Sequence, residues 1–334
     1  MKKLAFTMAD RLSRLYTLVP SRSAFTMAEI LLSLTIIGVV AAITLPSLMG
    51  NINERTWNTQ RKALHARMSQ AIAMMPQVHG YGGLSVNEED WSFSGDNGAE
   101  VFITDGLSKV LKINNICDSE NLADCGLAST VNKINGGVAW SSIPKTTADY
   151  NENLNFFYNQ DATGLFSTKT AAFETQNGES ILLMYNPRCV DYHNLNQIVA
   201  GSMCANLVYD LNGNKGPNTF GKDIGFISVF NGGEHPTVVA PMLVSNEFVT
   251  FTDYSDMSKV CAAKDPESRA PNYEEAGALM ANSVLFGEET IDSIATKTKV
   301  GTNGNYWVVM NPANFIVAVT SDILSNSPTM CVKR

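Results

Sequence analysis

The pattern of apolar and polar positions contains one membrane-length apolar run, residues 30–49, which carries no charged side chain. A helix rises about 1.5 Å per residue, so about 20 apolar residues cross the roughly 30 Å hydrocarbon layer of a bilayer. The run therefore predicts a single membrane-spanning helix. Glu29 immediately precedes it, and an ionisable side chain at the edge of a span indicates a functional site.

A second helical pattern follows the apolar run without a break. Apolar residues recur at intervals of three to seven positions between residues 51 and 75, as in an amphipathic helix, and Pro76 ends the pattern. We therefore expect one long helix from Phe25 to Met75, with its first half in the membrane and its second half packed on a globular head. The basic residues of the second half are expected on its solvated face: Arg55, Arg61, Lys62 and Arg67.

Residues 77–334 are polar, rich in Gly and Asn, and broken into short apolar runs, which is typical of a β-rich head with long loops. One helix is expected near residues 273–286, with Asn272 as its N-cap. The predicted fold class is α+β, a long N-terminal helix packed on a β-rich globular head, and the length allows a subdivision near residue 205. The predicted strands are residues 180–185, 224–230, 237–244, 248–252, 307–310 and 315–320.

Charge adds an orientation to this picture. The first 24 residues carry five basic side chains and one acid, a net charge of +4 beside the predicted span. Positive flanks stay in the cytoplasm, so the head is expected outside it. Without these 24 residues the chain has 19 basic and 31 acidic residues, a net charge of −12. That balance argues against nucleic acid as a partner, because phosphate binding requires a basic surface.

The residues around the start of the apolar run carry a family resemblance. In the segment AFTMAE, residues 24–29, the small Ala24 precedes the aromatic Phe25, and Glu29 follows four residues later. Gly38 and Pro46 complete the spacing within the apolar helix. This arrangement resembles the N-terminus of type IV prepilins and type II secretion pseudopilins. A near copy, AFTMAD at residues 5–10, is followed by arginines and no apolar span, so we interpret it as incidental.

The resemblance implies a processing and assembly route. A prepilin peptidase would cut between Ala24 and Phe25, and the new Phe25 amine would be methylated. Residues 1–24 would be a cytoplasmic leader, 25–49 a transmembrane and filament-core helix, 50–76 an amphipathic stalk helix, and 77–334 the extracytoplasmic head. An inner-membrane assembly platform would deliver the processed subunit to the filament. There its helix would bundle with those of other pilin or pseudopilin subunits.

The same resemblance implies roles for three residues of the span. Glu29 would pair with the N-terminal amine of a neighbouring subunit, since charges that are costly in an apolar bundle become tolerable when they are paired. Gly38 and Pro46 would permit the helix to unwind or bend locally.

Six cysteines all fall in the predicted head, where an oxidising compartment favours disulfides. Neighbour pairing is the simplest of the fifteen connectivities that six cysteines allow. Zinc binding is the alternative, but the sequence contains no CxxC pair and no cysteine-histidine cluster. The expected disulfides are Cys117–Cys125, Cys189–Cys204 and Cys261–Cys331.

A Gly-rich loop with alternating Asp and Asn is the second chemistry-bearing segment. Its oxygen-bearing side chains are Asp210, Asn212, Asn214, Asn218 and Asp223. Hard oxygens close together are what calcium requires, although the spacing does not fit an EF-hand. A tight turn between strands is the alternative, because Asn-Gly and Gly-Pro-Asn are turn sequences in their own right.

The chain carries no enzymatic signature. No GxSxG, HExxH or phosphate-loop motif is present. We therefore expect a non-enzymatic structural subunit, a minor pilin or pseudopilin, with a single pass through the inner membrane and its head in the periplasm or in an extracellular filament. The alternative is a membrane-anchored extracytoplasmic binding module or adhesin. The four histidines are His65, His79, His193 and His235.

Overall fold

The computed structural model describes eleven parts of the chain: residues 26–79, 98–151, 168–186, 189, 203–231, 236–243, 254–286, 294–300, 306–310, 317–319 and 329–333. The chain divides into two compact units, residues 1–55 and 56–334. Its fold is α+β, with one long N-terminal helix and mostly antiparallel sheets. The predicted fold class is confirmed at that level.

Helix α1 extends continuously over Met27–His79. It therefore begins two residues after Phe25 and continues beyond the predicted end at Met75. Its segment Met27–Thr44 is long and apolar enough to cross a membrane, with a mean hydropathy of 2.2. None of that segment is buried within the chain.

The remaining helices are short. The N-cap predicted for the helix near residue 273 is confirmed, because the Asn272 side chain accepts a hydrogen bond from the Glu275 N–H at 2.8 Å. The Glu275 carboxylate in turn accepts one from the Asn272 N–H at 2.8 Å, which completes a capping box. These helices are α2 (Gly98–Val101), α3 (Ser108–Val110), α4 (Thr147–Tyr150), α5 (Tyr254–Lys264) and α6 (Tyr273–Ala281), with a π-helical turn over Phe102–Leu107 and 3₁₀ turns over Leu122–Cys125 and Ser283–Leu285.

Thirteen strands are described. They are β1 (Ile113–Cys117), β2 (Val131–Asn132), β3 (Val138–Trp140), β4 (Ala171–Thr175), β5 (Ser180–Tyr185), β6 (Met203–Asp210), β7 (Ile224–Phe230), β8 (Thr237–Val239), β9 (Met242–Leu243), β10 (Ile294–Val300), β11 (Tyr306–Met310), β12 (Val317–Val319) and β13 (Val332–Lys333).

The main sheet has six strands in the order β1-β4-β5-β6-β7-β8, and each neighbouring pair is antiparallel. Residue 205, where the sequence allowed a subdivision, lies within β6. Three smaller sheets pair β2 with β3, β13 with β9, and β11 with both β10 and β12.

The central strands β5, β6 and β7 of the main sheet are buried at every position. Since successive side chains of a strand point to opposite faces, both faces of the sheet are covered there. In β5, Ile181 and Leu183 belong to the core that contains Leu64 of α1. Leu182 of the same strand belongs to a second core, which contains Leu279 of α6. Helix α1 therefore packs on one face of the sheet, and helix α6 packs on the other.

The strand predictions are confirmed in part. Residues 180–185 and 224–230 form strands with the predicted bounds. The predicted strand 237–244 is wrong as a single element, because it ends at Val239 and residues 242–243 pair with β13 instead. Pro241 separates the two pieces, and a proline cannot donate a ladder hydrogen bond. The predictions at 307–310 and 315–320 fall on β11 and β12, and 248–252 lies outside the described residues.

The three disulfides follow the predicted neighbour pairing. Cys117–Cys125, Cys189–Cys204 and Cys261–Cys331 have Cα–Cα distances of 6.0, 4.9 and 5.4 Å, within the range of disulfide geometry. The third connects α5 to the residue that precedes β13.

Candidate functional site

The start of helix α1 is held by a reciprocal cap. The Glu29 carboxylate accepts hydrogen bonds from the N–H and the hydroxyl of Thr26, each at 2.9 Å. The Thr26 hydroxyl accepts one from the Glu29 N–H at 3.3 Å. Glu29 is thus the third helical residue of a capping box. This role of Glu29 was not predicted, although the T-x-x-E spacing before an apolar run is a recognised signal of a capping box.

The large side chains in the apolar part of α1 are exposed. Ile37 is 63% exposed and Ile43 is 72% exposed. A Cβ placed at Gly38 would meet no atom within 4 Å, so no contact within the chain requires glycine there. The exposed segment is therefore a candidate membrane span by its length and composition.

The hydroxyl groups in this segment do not add unpaired polar groups. The side chains of Ser33, Thr35 and Thr44 donate to backbone carbonyls one turn earlier, at 2.9, 2.6 and 2.9 Å. Ala24, Phe25 and the side chain of Pro46 lie outside the described residues.

The loop between β6 and β7, residues 211–223, folds around two carboxylates, Asp223 of the loop and Asp210 at the end of β6. Asp210 accepts a hydrogen bond from the Asn212 N–H at 3.1 Å, and Asp223 accepts from the N–H groups of Asn218 and Thr219 at 2.8 and 2.9 Å. The Leu211 N–H donates to the backbone carbonyl of Asp223 at 3.0 Å, which draws the two ends of the loop together.

We define four of the five residues predicted for calcium as the oxygen cluster: Asp210 at the end of β6, and Asn212, Asn218 and Asp223 in the loop. Five buried side-chain polar atoms in the described part of the chain lack a hydrogen-bond partner, and three of them are Oδ2 of Asp210, Oδ1 of Asn212 and Oδ1 of Asn218. Buried polar atoms normally have a partner. The fifth predicted residue, Asn214, is exposed.

The carboxylates of the oxygen cluster are buried without a counter-charge. Asp210 is 1% exposed and Asp223 is 0% exposed. Burial raises the pKa of Asp210 to about 7, and the charge of Asp223 contributes to that rise. Neither forms an ion pair with a described residue. No described group of three or more His, Cys, Asp and Glu side chains could hold a metal, so amide oxygens would have to complete any site here.

Two arginines that the sequence placed on the solvated face of α1 are engaged with the head, so that prediction is wrong for them. Arg61 donates to the backbone carbonyls of Gly221 and Lys222, at the end of the β6–β7 loop. Arg67 forms an ion pair with Glu179, next to β5. The spacing of apolar residues along α1 does not reveal these two contacts. A guanidinium can donate to carbonyl and carboxylate oxygens at the edge of a packed surface, so an arginine beside the apolar stripe can still contact the head.

A cleft of about 570 Å³ lies beside this contact, between α1 and strands β7 to β9. Its lining combines His65 of α1 with apolar side chains, among them Phe220, Phe226 and Val239. Burial lowers the pKa of His65, which favours the neutral imidazole. The cleft has the size of a small-molecule site. No sequence motif indicated it, because its walls come from segments far apart in the chain.

No family model, no curated protein and no solved structure matches this chain.

Proposed function

We propose that the chain is a non-enzymatic structural subunit of a type IV pilus or a type II secretion pseudopilus, a minor pilin or pseudopilin. The observation that carries the proposal is the unburied apolar segment Met27–Thr44, which begins three residues after Ala24. Three features resemble the prepilin N-terminus: the position of this segment, its residue Glu29, and the Ala24-Phe25 pair that precedes it.

The exposed segment supports both stages of the proposed route, insertion of the precursor into the membrane and assembly into a filament. In the precursor it would cross the inner membrane once, with the basic residues 1–24 in the cytoplasm and the head in the periplasm. In the assembled filament the same side chains would be covered by the helices of other subunits. The packing of the later part of α1 on an antiparallel sheet is compatible with a pilin-like head.

The proposed partners follow from the two stages. A prepilin peptidase would remove residues 1–24, and an inner-membrane assembly platform would move the processed subunit out of the membrane into a filament of pilin or pseudopilin subunits. Nucleic acid is not among the proposed partners, because the processed chain has a net charge of −12.

The experiment that tests this proposal is N-terminal mass spectrometry of the membrane-extracted chain, expressed with and without a prepilin peptidase. We expect a chain that begins at methylated Phe25 only when the peptidase is present. An Ala24→Leu variant should stay uncut, because a bulky side chain replaces the small residue before the bond. An Ala5→Leu variant, in the near copy of the motif, is the matched control and should be processed normally.

An intact N-terminus in the presence of the peptidase, or cleavage after Pro46, would overturn the proposal. Either result would favour a membrane-anchored or secreted binding module, for which the cleft beside His65 is the first place to seek a ligand.

A further inference from the structure

The edge of strand β7 that faces away from β6 is paired over only part of its length. Strand β8 pairs with Ser228, Val229 and Phe230, and its register stops there. Extending that register by two residues would place Pro241 opposite Phe226. A proline has no N–H to donate to a ladder, and the chain continues instead into β9, which pairs with β13. The first half of β7 is therefore left with an open edge.

The hydrogen bonds at the start of β7 show which of its backbone groups face this open edge. Ile224 donates to the Thr219 carbonyl at 3.3 Å and accepts from the Gly221 N–H at 3.0 Å, so both of its backbone groups point away from β6. These groups alternate in direction along a strand, and the register with β6 is regular here, so those of Phe226 also point away from β6. No backbone hydrogen bond joins Phe226 to a described residue on that side. One N–H and one carbonyl are thus available to an added strand.

The cleft of about 570 Å³ lies along this open edge. Its walls include Phe226 itself, Pro241 where the chain leaves the sheet, and His65 of α1. His65 forms a hydrogen bond with the backbone of Val238, which holds β8 against the helix. The open edge extends over about four residues, or about 14 Å at 3.4 Å per residue. It accommodates a short extended segment.

The walls of the cleft would receive alternate side chains of such a segment, because neighbouring residues of a strand point to opposite faces. On the side of α1 the lining contains Tyr209 and Ile227. On the side of α6 it contains Phe220 and Leu243. Apolar side chains therefore fit on both sides.

The charges of the cleft indicate an acidic partner. Arg61 and Lys62 of α1 both line it, and neither forms an ion pair with a described residue. The other charged side chains of the lining, Lys333 and Glu275, are already paired. Two positive charges thus lack a counter-charge in a chain whose net charge is −12 without residues 1–24. Complementary charges favour and orient association.

We propose that this cleft binds an extended peptide segment of a partner protein, about four residues long, with apolar side chains and one acidic side chain. The segment adds a short strand to the open edge of β7 and forms two backbone hydrogen bonds with Phe226, while its carboxylate faces Lys62. The main-chain bonds supply affinity, and the walls of the cleft supply specificity. The inference concerns contacts within residues 56–334, so it holds whether or not the chain enters a filament.

The first test selects binders from a display library of random octapeptides, against the full chain in lipid nanodiscs, which keep detergent out of the cleft. We expect the enriched peptides to combine apolar residues with at least one Asp or Glu. In an N-methyl scan of the best peptide, methylation of one central nitrogen should weaken binding about tenfold or more, because it removes the donor to the Phe226 carbonyl. Methylation of the two neighbouring nitrogens should leave binding unchanged, since those amides point away from β7. Fluorescence anisotropy measures both effects.

The second test locates the bound peptide. Lys62→Glu should weaken binding of the acidic peptide about fivefold or more and should shift a repeated selection toward basic peptides. Lys109→Glu is the matched control, because Lys109 is exposed and does not line the cleft, and it should behave as wild type. In hydrogen exchange with fragmentation to single residues, the peptide should slow exchange of the Phe226 amide several-fold and leave the Ile227 amide unchanged, because the Ile227 amide already points toward β6.

Three results would overturn the inference. No enrichment beyond that on empty nanodiscs would mean that the cleft takes no extended peptide. Equal binding by wild type and Lys62→Glu would show that the acidic side chain is not read at this cleft. Peptide binding that leaves exchange of the Phe226 amide unchanged would show that the peptide does not add a strand to β7.

Discussion

At the scale of single residues, a close contact with the neighbouring strand explains why position 225 is a glycine, which the composition of the chain does not explain. Gly225 of β7 lies opposite Tyr209 of β6 in the sheet register. A Cβ at position 225 would lie 2.2 Å from the Tyr209 hydroxyl oxygen and 2.4 Å from its Cζ. The tyrosine therefore occupies the space that any other residue at 225 would need. This requirement comes from the partner strand and cannot be detected in the sequence of β7.

We expect Gly225→Ala to lower the free energy of unfolding by about 1–3 kcal/mol, the usual cost of overpacking a well-filled core. Denaturant unfolding of the full chain in detergent measures the change. Gly137→Ala is the matched control, because its Cβ would make only ordinary contacts, at 3.5 Å from Asn135 Oδ1 and 3.6 Å from Lys133 Cδ. Equal losses in both variants would contradict the role assigned to Tyr209.

At the scale of elements, the sequence predicted features that depend on neighbouring residues but not features that depend on residues far away in the chain. The helix at Tyr273–Ala281 was predictable because its cap lies within its own first turn. Strand β6 was not predicted, although β5 and β7, which are also buried throughout, were predicted. In β6 the buried Asn206 interrupts the apolar run. That side chain is satisfied by Ser228 at 2.7 Å and by Asn282 at 2.8 Å, partners far away in sequence.

The disulfides connect elements over very different chain lengths, and their removal should reflect that difference. Cys261–Cys331 closes a separation of 70 residues, whereas Cys117–Cys125 closes one of 8. In the chain-entropy model, losing the first costs about 4 kcal/mol and losing the second about 2–3 kcal/mol. Denaturant unfolding of the two double-alanine variants measures both values. A larger loss from the short bridge would indicate that unfolded-chain entropy does not dominate in this head.

At the scale of the whole molecule, the sequence predicted the order of the parts better than their contacts. The apolar run, the disulfide pairing and the β-rich head were all readable from composition and spacing. The oxygen cluster was only partly readable, because loop composition identified its members but could not show which oxygens lack partners. Arg61 was misplaced because its carbonyl acceptors are about 160 positions away. The chain itself leaves the Met27–Thr44 segment unburied, and this segment is long and apolar enough to cross a membrane.

Glu29 has two roles to distinguish, one within its own helix and one in the proposed filament, and one substitution distinguishes them. Its carboxylate caps its own helix through Thr26, and the proposed filament would also use its charge to pair with the amine of a neighbouring subunit. Glutamine can take the same place in a capping box but carries no charge. We therefore expect Glu29→Gln to retain a stable, membrane-inserted precursor while its incorporation into filaments falls to the level of Glu29→Ala, as measured by immunoblotting of sheared filaments. Thr26→Ala is the reciprocal control, since it loses about 1 kcal/mol of capping and keeps the charge. Normal incorporation of Glu29→Gln would mean that helix capping alone accounts for this residue, and the charge pairing would have to be removed from the proposed assembly.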